Sequence, residues 1–153
     1  MKNKNLILSR ARLLAVQTLA SFHYGNNSSI EQVISDMENY YIKEEYSEEE
    51  KENYKDFVAI DFYKELVLGT QDNIEYCDLI ITENLKEGHN FESIPDVLKE
   101  ILRCAVYELK FKPETPAKVI INEYVDITSE FFDKNKITFA NGIIDTMAKK
   151  IKS

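Results

Sequence analysis

The side chains that could carry chemistry in this 153-residue chain are few and scattered. His23 and His89 stand far apart, both beside the ends of expected helices, and neither has the clustered acids or thiols that a metal site needs. Cys77 and Cys104 lie 27 residues apart inside apolar-periodic segments with no C-x-x-C partner. That placement predicts two reduced, partly buried thiols, not a disulfide framework or a zinc site. Asp61 with Glu65, and Glu123 with Asp126, fall three or four residues apart on single helix faces, a spacing that could hold a divalent cation but ordinarily solvates a face. There is no G-x-G-x-x-G or Walker loop, no H-E-x-x-H and no G-x-S-x-G. These residue types point away from catalysis and from any bound cofactor or metal, and toward binding.

Charge says what could be bound. The net charge of -8 argues, taken whole, against nucleic acid, because phosphate repels an acidic surface. Its distribution does not. Residues 1–30 hold Lys2, Lys4, Arg10 and Arg12 and no acid, and residues 131–153 hold five lysines against Asp133 and Asp145. Between them, residues 31–65 carry twelve acids against four lysines, and residues 66–130 thirteen acids against six bases. If the termini meet in the fold, they make one positive patch on a negative body, the footprint of a small RNA or phosphate site. Within the basic tail, Phe139-Ala140-Asn141-Gly142 follows Lys134 and Lys136. An aromatic beside an Asn at a helix start offers a stacking face and donors for an unpaired base. Packing of Phe139 in the core is the competing reading.

The elements that must position these groups are helices. Four glycines and three prolines are too few for the turns of a sandwich or barrel, and the length suits one compact domain. The 44% hydrophobic and 30% charged composition is that of a chain able to fold by itself. No apolar run reaches the roughly 18 residues of a membrane span and no signal peptide opens the chain, so the expected location is the cytoplasm. Apolar spacing predicts a helix over residues 6–22 whose buried stripe centres near Ala11, with Arg10 and Arg12 about 100° to either side and both guanidinium groups reaching solvent. A second helix is expected from an N-cap at Ser28 to about Tyr41, followed by a glutamate-rich stretch over residues 43–55 that reads as a solvated loop or helix start and not as a binding site. The pattern over residues 57–85 should kink or break between Gly69 and Asn73. Ser93-x-Pro95-Asp96 and Thr115-Pro116 read as two further helix starts, and the last helix is expected from about Thr138 to Ile151. Six or seven helices joined by short loops make an all-α fold.

The C-terminal half also carries a resemblance. Ile101-Leu102-Arg103-Cys104-Ala105-Val106-Tyr107-Glu108-Leu109, Pro116-Ala117-Lys118-Val119-Ile120-Ile121-Asn122-Glu123 and Phe139-Ala140-Asn141-Gly142-Ile143-Ile144-Asp145 are similar to the I-L-R-x-A-x-Y-E-L, P-x-K-V-x-I-N-E and F-V-N-G-[VI]-L-D signatures of the NusB family of transcription antitermination factors. Arg10-Ala11-Arg12 and Ala15-Val16-Gln17-Thr18-Leu19 extend the match, in order, to the first helix. The resemblance implies a single compact bundle of about seven helices in two packed subdomains. It implies binding of boxA-type RNA jointly with NusE, the small-subunit ribosomal protein, in the transcription elongation complex. Carried over by position, the RNA-binding residues are Arg10, Arg12 and Phe139, with Thr138 and Asn141 beside them. Leu8 and Ser9 stand where the family commonly has further arginines, and Thr138 where a lysine is frequent. Fewer phosphate contacts predict weaker RNA binding with a flatter salt dependence. Independently of the family, Arg103 and Glu108 should flank the buried stripe of their helix, and Asn122 and Glu123 should face partly inward to satisfy neighbouring helix ends. The alternative to an RNA-binding factor is a helical protein-interaction module, such as a homodimer whose self-contact hides the RNA face. A third reading is the helical domain of an RNA-modifying enzyme whose catalytic half is a separate chain.

Overall fold

The structure is a computed structural model that describes residues 4–25, 28–45, 47–51, 55 and 57–152. Among these residues there are eight α-helices and no strand. They are α1 (Lys4–Tyr24), α2 (Ile30–Glu45), the single turn α3 (Glu48–Lys51), α4 (Ile60–Asp72), α5 (Ile74–Glu83), α6 (Asp96–Phe111), α7 (Ala117–Phe131) and α8 (Lys134–Ile151), with a 3-10 turn over Phe91–Ser93. Leaving out α3, seven helices of ten residues or more remain, as the all-α expectation requires. The chain forms two compact units, Met1–Leu68 and Gly69–Ser153, with the boundary inside α4. No helix among the described residues is long and apolar enough to cross a membrane.

In the first unit α1 packs against α2. A run free of Gly and Pro from Lys4 to Tyr24 lets α1 continue for 21 residues. It buries Ala11, Leu14, Ala15, Val16 and Leu19, but also Arg12 and Thr18. A helix buried over most of its circumference is surrounded by neighbours and has no polar face there. The cap of α2 is Ser29, not Ser28: its hydroxyl accepts the Gln32 N–H at 3.1 Å. Buried Tyr63 of α4 ties the unit together, its Oη lying 2.8 Å from Thr18 Oγ1 and donating to the Ile34 carbonyl at 3.2 Å. Burial pushes its phenol up to about 12. Of the two readings of the glutamate-rich stretch, loop or helix start, its described residues favour helix: 43–45 continue α2 and α3 follows. Lys2 and Glu52 lie outside the described residues, as do the side chains of Glu44, Glu45 and Glu50.

The second unit is organised around α6, which packs on α5, α7 and α8. Enclosure from three sides buries every residue from Glu100 to Leu109, so Arg103 and Glu108 lie inside the core and not on the flanks of a stripe. They are tolerated because they are paired. Arg103 grips Asp78 of α5 with two bonds, Nε to Oδ1 at 2.7 Å and Nη2 to Oδ2 at 2.9 Å, and reaches Glu100 Oε2 with Nη1 at 2.7 Å. Its guanidinium also lies over the Phe91 ring. Glu108 accepts a hydrogen bond from the Tyr124 hydroxyl of α7. The break between α4 and α5 falls at Asn73, inside the expected interval, and Asn73 Nδ2 donates to the Gly69 carbonyl at 2.8 Å. Gly69 is required by contact: a Cβ there would stand 2.3 Å from the Tyr107 ring. Pro95 and Pro116 immediately precede α6 and α7, whereas Ser93 caps neither and closes the 3-10 turn instead. Asn122 is exposed, and so is Phe131. Cys77 and Cys104 are free and buried; desolvation pushes the Cys77 thiol up to about 12 and Cys104 well above its ordinary value.

Candidate nucleic-acid interface

The two arginines of α1 have different fates. Arg10 is half-buried, and its guanidinium head is tethered within the first unit by Nη1 donating to the Phe57 carbonyl at 3.1 Å. Arg12 is 3% exposed, with its guanidinium 5.3 Å from the centroid of the Phe62 ring. The expectation that both heads reach solvent is therefore corrected for Arg12. Helical periodicity places it beside the apolar stripe, but α1 is covered on that side too, and the planar cation is held by an aromatic face instead of water.

The last helix starts four residues earlier than expected, at Lys134 with Asp133 as its N-cap residue. Lys134-Asn135-Lys136 contains no helix breaker, so nothing delays the helix to Thr138. Two lysines with no acid in the first turn leave the positive end of an 18-residue helix basic. Thr138, Phe139 and Asn141 thus lie in its second and third turns. Along a helix, residues two apart diverge by about 200°, so Asn141 faces away from Phe139. Thr138 and Phe139 line an open hollow of about 510 Å³ in the second unit, and Asn141 lines neither it nor its neighbour.

Phe139 is half-buried and not part of the core row Ala140, Ile143, Ile144, Met147 and Ala148. Its ring is stacked on that of exposed His89, centroids 6.1 Å apart and planes inclined by 28°, within the range of offset-stacked aromatic pairs. A second hollow of about 250 Å³ shares Leu85, His89, Asn135 and Phe139 with the first, so both rings line both hollows. Lys86 borders the larger hollow and Lys136 the smaller, while Asn135 lines both. Sequence reading did not single out His89, Lys86, Asn135 or Gly142 as site residues. Only the Gly88-His89 step could have drawn attention, because a glycine before a lone aromatic marks a turn that aims a ring.

Comparison with known proteins agrees with this architecture. The NusB family model matches residues 9–149. The transcription antitermination protein NusB of Rickettsia akari (strain Hartford) is 34% identical over 142 residues, 93% of this chain and 91% of the relative. That of Rickettsia bellii (strain OSU 85-389) is 33% identical over 144 residues, 94% of this chain and 91% of the relative. The fold matches T. maritima NusB with a TM-score of 0.75 at 26% identity, covering 100% of this chain and 96% of that one. It also matches, in fold, a crystal structure of NusB and NusE in complex with dsRNA, with a TM-score of 0.75 at 20% identity over 93% of this chain and 96% of that one. A match that runs through both units, from the arginines of α1 to Lys149 of α8, leaves one conclusion: the chain belongs to the NusB family.

Proposed function

We infer that this chain is a transcription antitermination factor that binds boxA-type single-stranded RNA together with NusE in the elongation complex, in the cytoplasm, and catalyses no reaction. Relatives a third identical along nearly their whole length bear that name, and a protein of the same fold has been solved with NusE and dsRNA. The observation that carries the reading is Phe139: a half-buried ring on the basic α8, beside an open hollow and outside the core row. Such a ring suits an unpaired base, which RNA-binding proteins hold by stacking on aromatic faces. Thr138 offers a hydroxyl in the same hollow. Lys134 and Lys136 at the start of α8, and Arg10 in the first unit, supply phosphate contacts. Arg12 acts by holding α1 from inside. Asn141 lies on the flank of α8 and contributes only to a strand that passes outside the hollow.

The test is a titration of a short boxA-type leader RNA with the full chain, with and without NusE, comparing wild type with Phe139→Ala. The expected loss is about 1–3 kcal/mol of RNA binding, the scale of one base–aromatic stack, with a melting temperature near wild type. If wild type with NusE retains no RNA at low salt, the reading is wrong. A large fall in melting temperature with RNA binding intact below it would return Phe139 to the core.

A further inference from the structure

His89 is an exposed ring that rests on Phe139. Lys86-Glu87-Gly88-His89 is a turn closed by the His89 N–H donating to the Lys86 carbonyl at 3.0 Å. Gly88 takes φ +89, a left-handed conformation that L side chains rarely adopt. On the other side of His89, Asn90 Oδ1 accepts the Ser93 N–H at 2.9 Å and the Ser93 hydroxyl donates to the Asn90 carbonyl at 2.8 Å. Two local hydrogen-bonded devices therefore fix the chain immediately before and after an imidazole whose ring rests on Phe139. Ordering an exposed side chain costs entropy, which a binding site recovers as preorganisation.

Gly142 adds a second, separate observation. It lies in the interior of α8, where glycine is destabilising relative to alanine, yet a Cβ built on it meets nothing within 4 Å. No close contact explains it. It does line the larger hollow, where a side chain would project into open space. Asn84 borders the same hollow; its Nδ2 is spent on the Ile80 carbonyl, and its Oδ1 is buried with no hydrogen-bond partner among the described residues.

We propose that the His89–Phe139 stack is a wedge that parts two adjacent nucleobases of single-stranded RNA, seating one in each of the two hollows that both rings line. The inference rests on the RNA-binding reading above and adds to it a second aromatic residue and a defined number of captured bases. The chemistry of the two hollows fits bases more closely than a bare phosphate: each has an aromatic wall, amide or hydroxyl groups for base edges, and one lysine at its border. The His89 wall accepts any base, because every base has a π-face, while Asn84 favours in the larger hollow a base that presents an N–H.

The experiment uses a short boxA-type RNA in which 2-aminopurine replaces each base in turn, bound to the full chain with NusE and read by anisotropy and fluorescence. Two neighbouring positions should change in fluorescence on binding. His89→Ala should weaken binding about five-fold or more and cancel the change at those positions, and His89→Trp should restore both. Gly142→Leu, which fills the larger hollow and improves helix propensity, should cancel the change at one of the two positions without lowering the melting temperature. Binding of His89→Ala within about two-fold of wild type, with unchanged fluorescence, overturns the wedge. So does wild-type binding in which no adjacent pair responds, although the RNA-binding reading then stands. Absence of any binding by wild type with NusE overturns both.

Discussion

At the scale of single residues, the two arginines of α1 show how similar positions in a sequence acquire different jobs. Arg10 spends one guanidinium nitrogen on the Phe57 carbonyl and stays half-exposed, whereas Arg12 is closed in over Phe62. Substituting each alone should therefore separate them. Arg12→Ala should lower folding stability by about 1–3 kcal/mol, through the lost cation–π contact and the packing of its stem. Arg10→Ala should leave stability nearly unchanged and weaken RNA binding, with a shallower dependence of affinity on salt. Urea unfolding and RNA titration of the two variants check this, and equal stability losses would remove the distinction. That Arg10 and Phe139 are candidates was legible in the sequence from charge and from the aromatic-Asn pair. That Arg12 is inside was not, because residue spacing reports the angle between side chains and not what surrounds the helix.

At the scale of elements, α6 is where polar sequence and buried position meet. Three charged residues inside it survive because each is paired: Arg103 with Asp78 of α5 and with Glu100 one turn back on α6, and Glu108 with Tyr124 of α7. Arg103→Met should destabilise by about 3–5 kcal/mol, because Glu100, fully buried, then loses its cation. Adding Glu100→Met should recover much of that loss, since a buried ion pair replaced by apolar side chains of similar volume is often neutral. A denaturant series on the single and double variants measures both. Helix starts show the same division between local and distant information. Pro95 and Pro116 were readable because a ring that fixes φ precedes a helix wherever it occurs. The start of α8 lies four residues before Thr138, because the chain has no helix breaker after Asp133.

At the scale of the whole molecule, charge and burial set how the protein responds to its solvent. The segment from 31 to 130 carries twenty-five acids against ten basic residues, which should steer a basic ribosomal protein toward the chain. The association rate with NusE should then fall as ionic strength rises past about 0.15 M, where the screening length is about 8 Å. A rate that is flat with salt in stopped-flow association would make the acidic surface merely solvating. Alkaline pH acts on the core. Folded Cys77 and Tyr63 keep their protons up to about 12, whereas the unfolded chain releases them near their ordinary values of 9.0 and 10.0. The stability they contribute is complete below pH 9 and is lost as pH rises through 12. Denaturation midpoints from pH 8 upward should therefore fall first through Cys77, and Cys77→Ala should delay the onset.

Much about this protein was determined by its sequence alone. Apolar period and proline placement yield the all-α architecture, the interval around Asn73 yields the break between α4 and α5, and four motifs in order yield the family. Each is a local property, or a string of local properties, and needs no knowledge of what packs against what. Tertiary structure alone decided that Arg12 is inside, that α6 is enclosed on three sides, and that His89 comes to rest on Phe139, fifty residues further along the chain. Those outcomes depend on contacts between distant segments, and a periodicity that fixes the face of one helix carries no record of which other element will cover it.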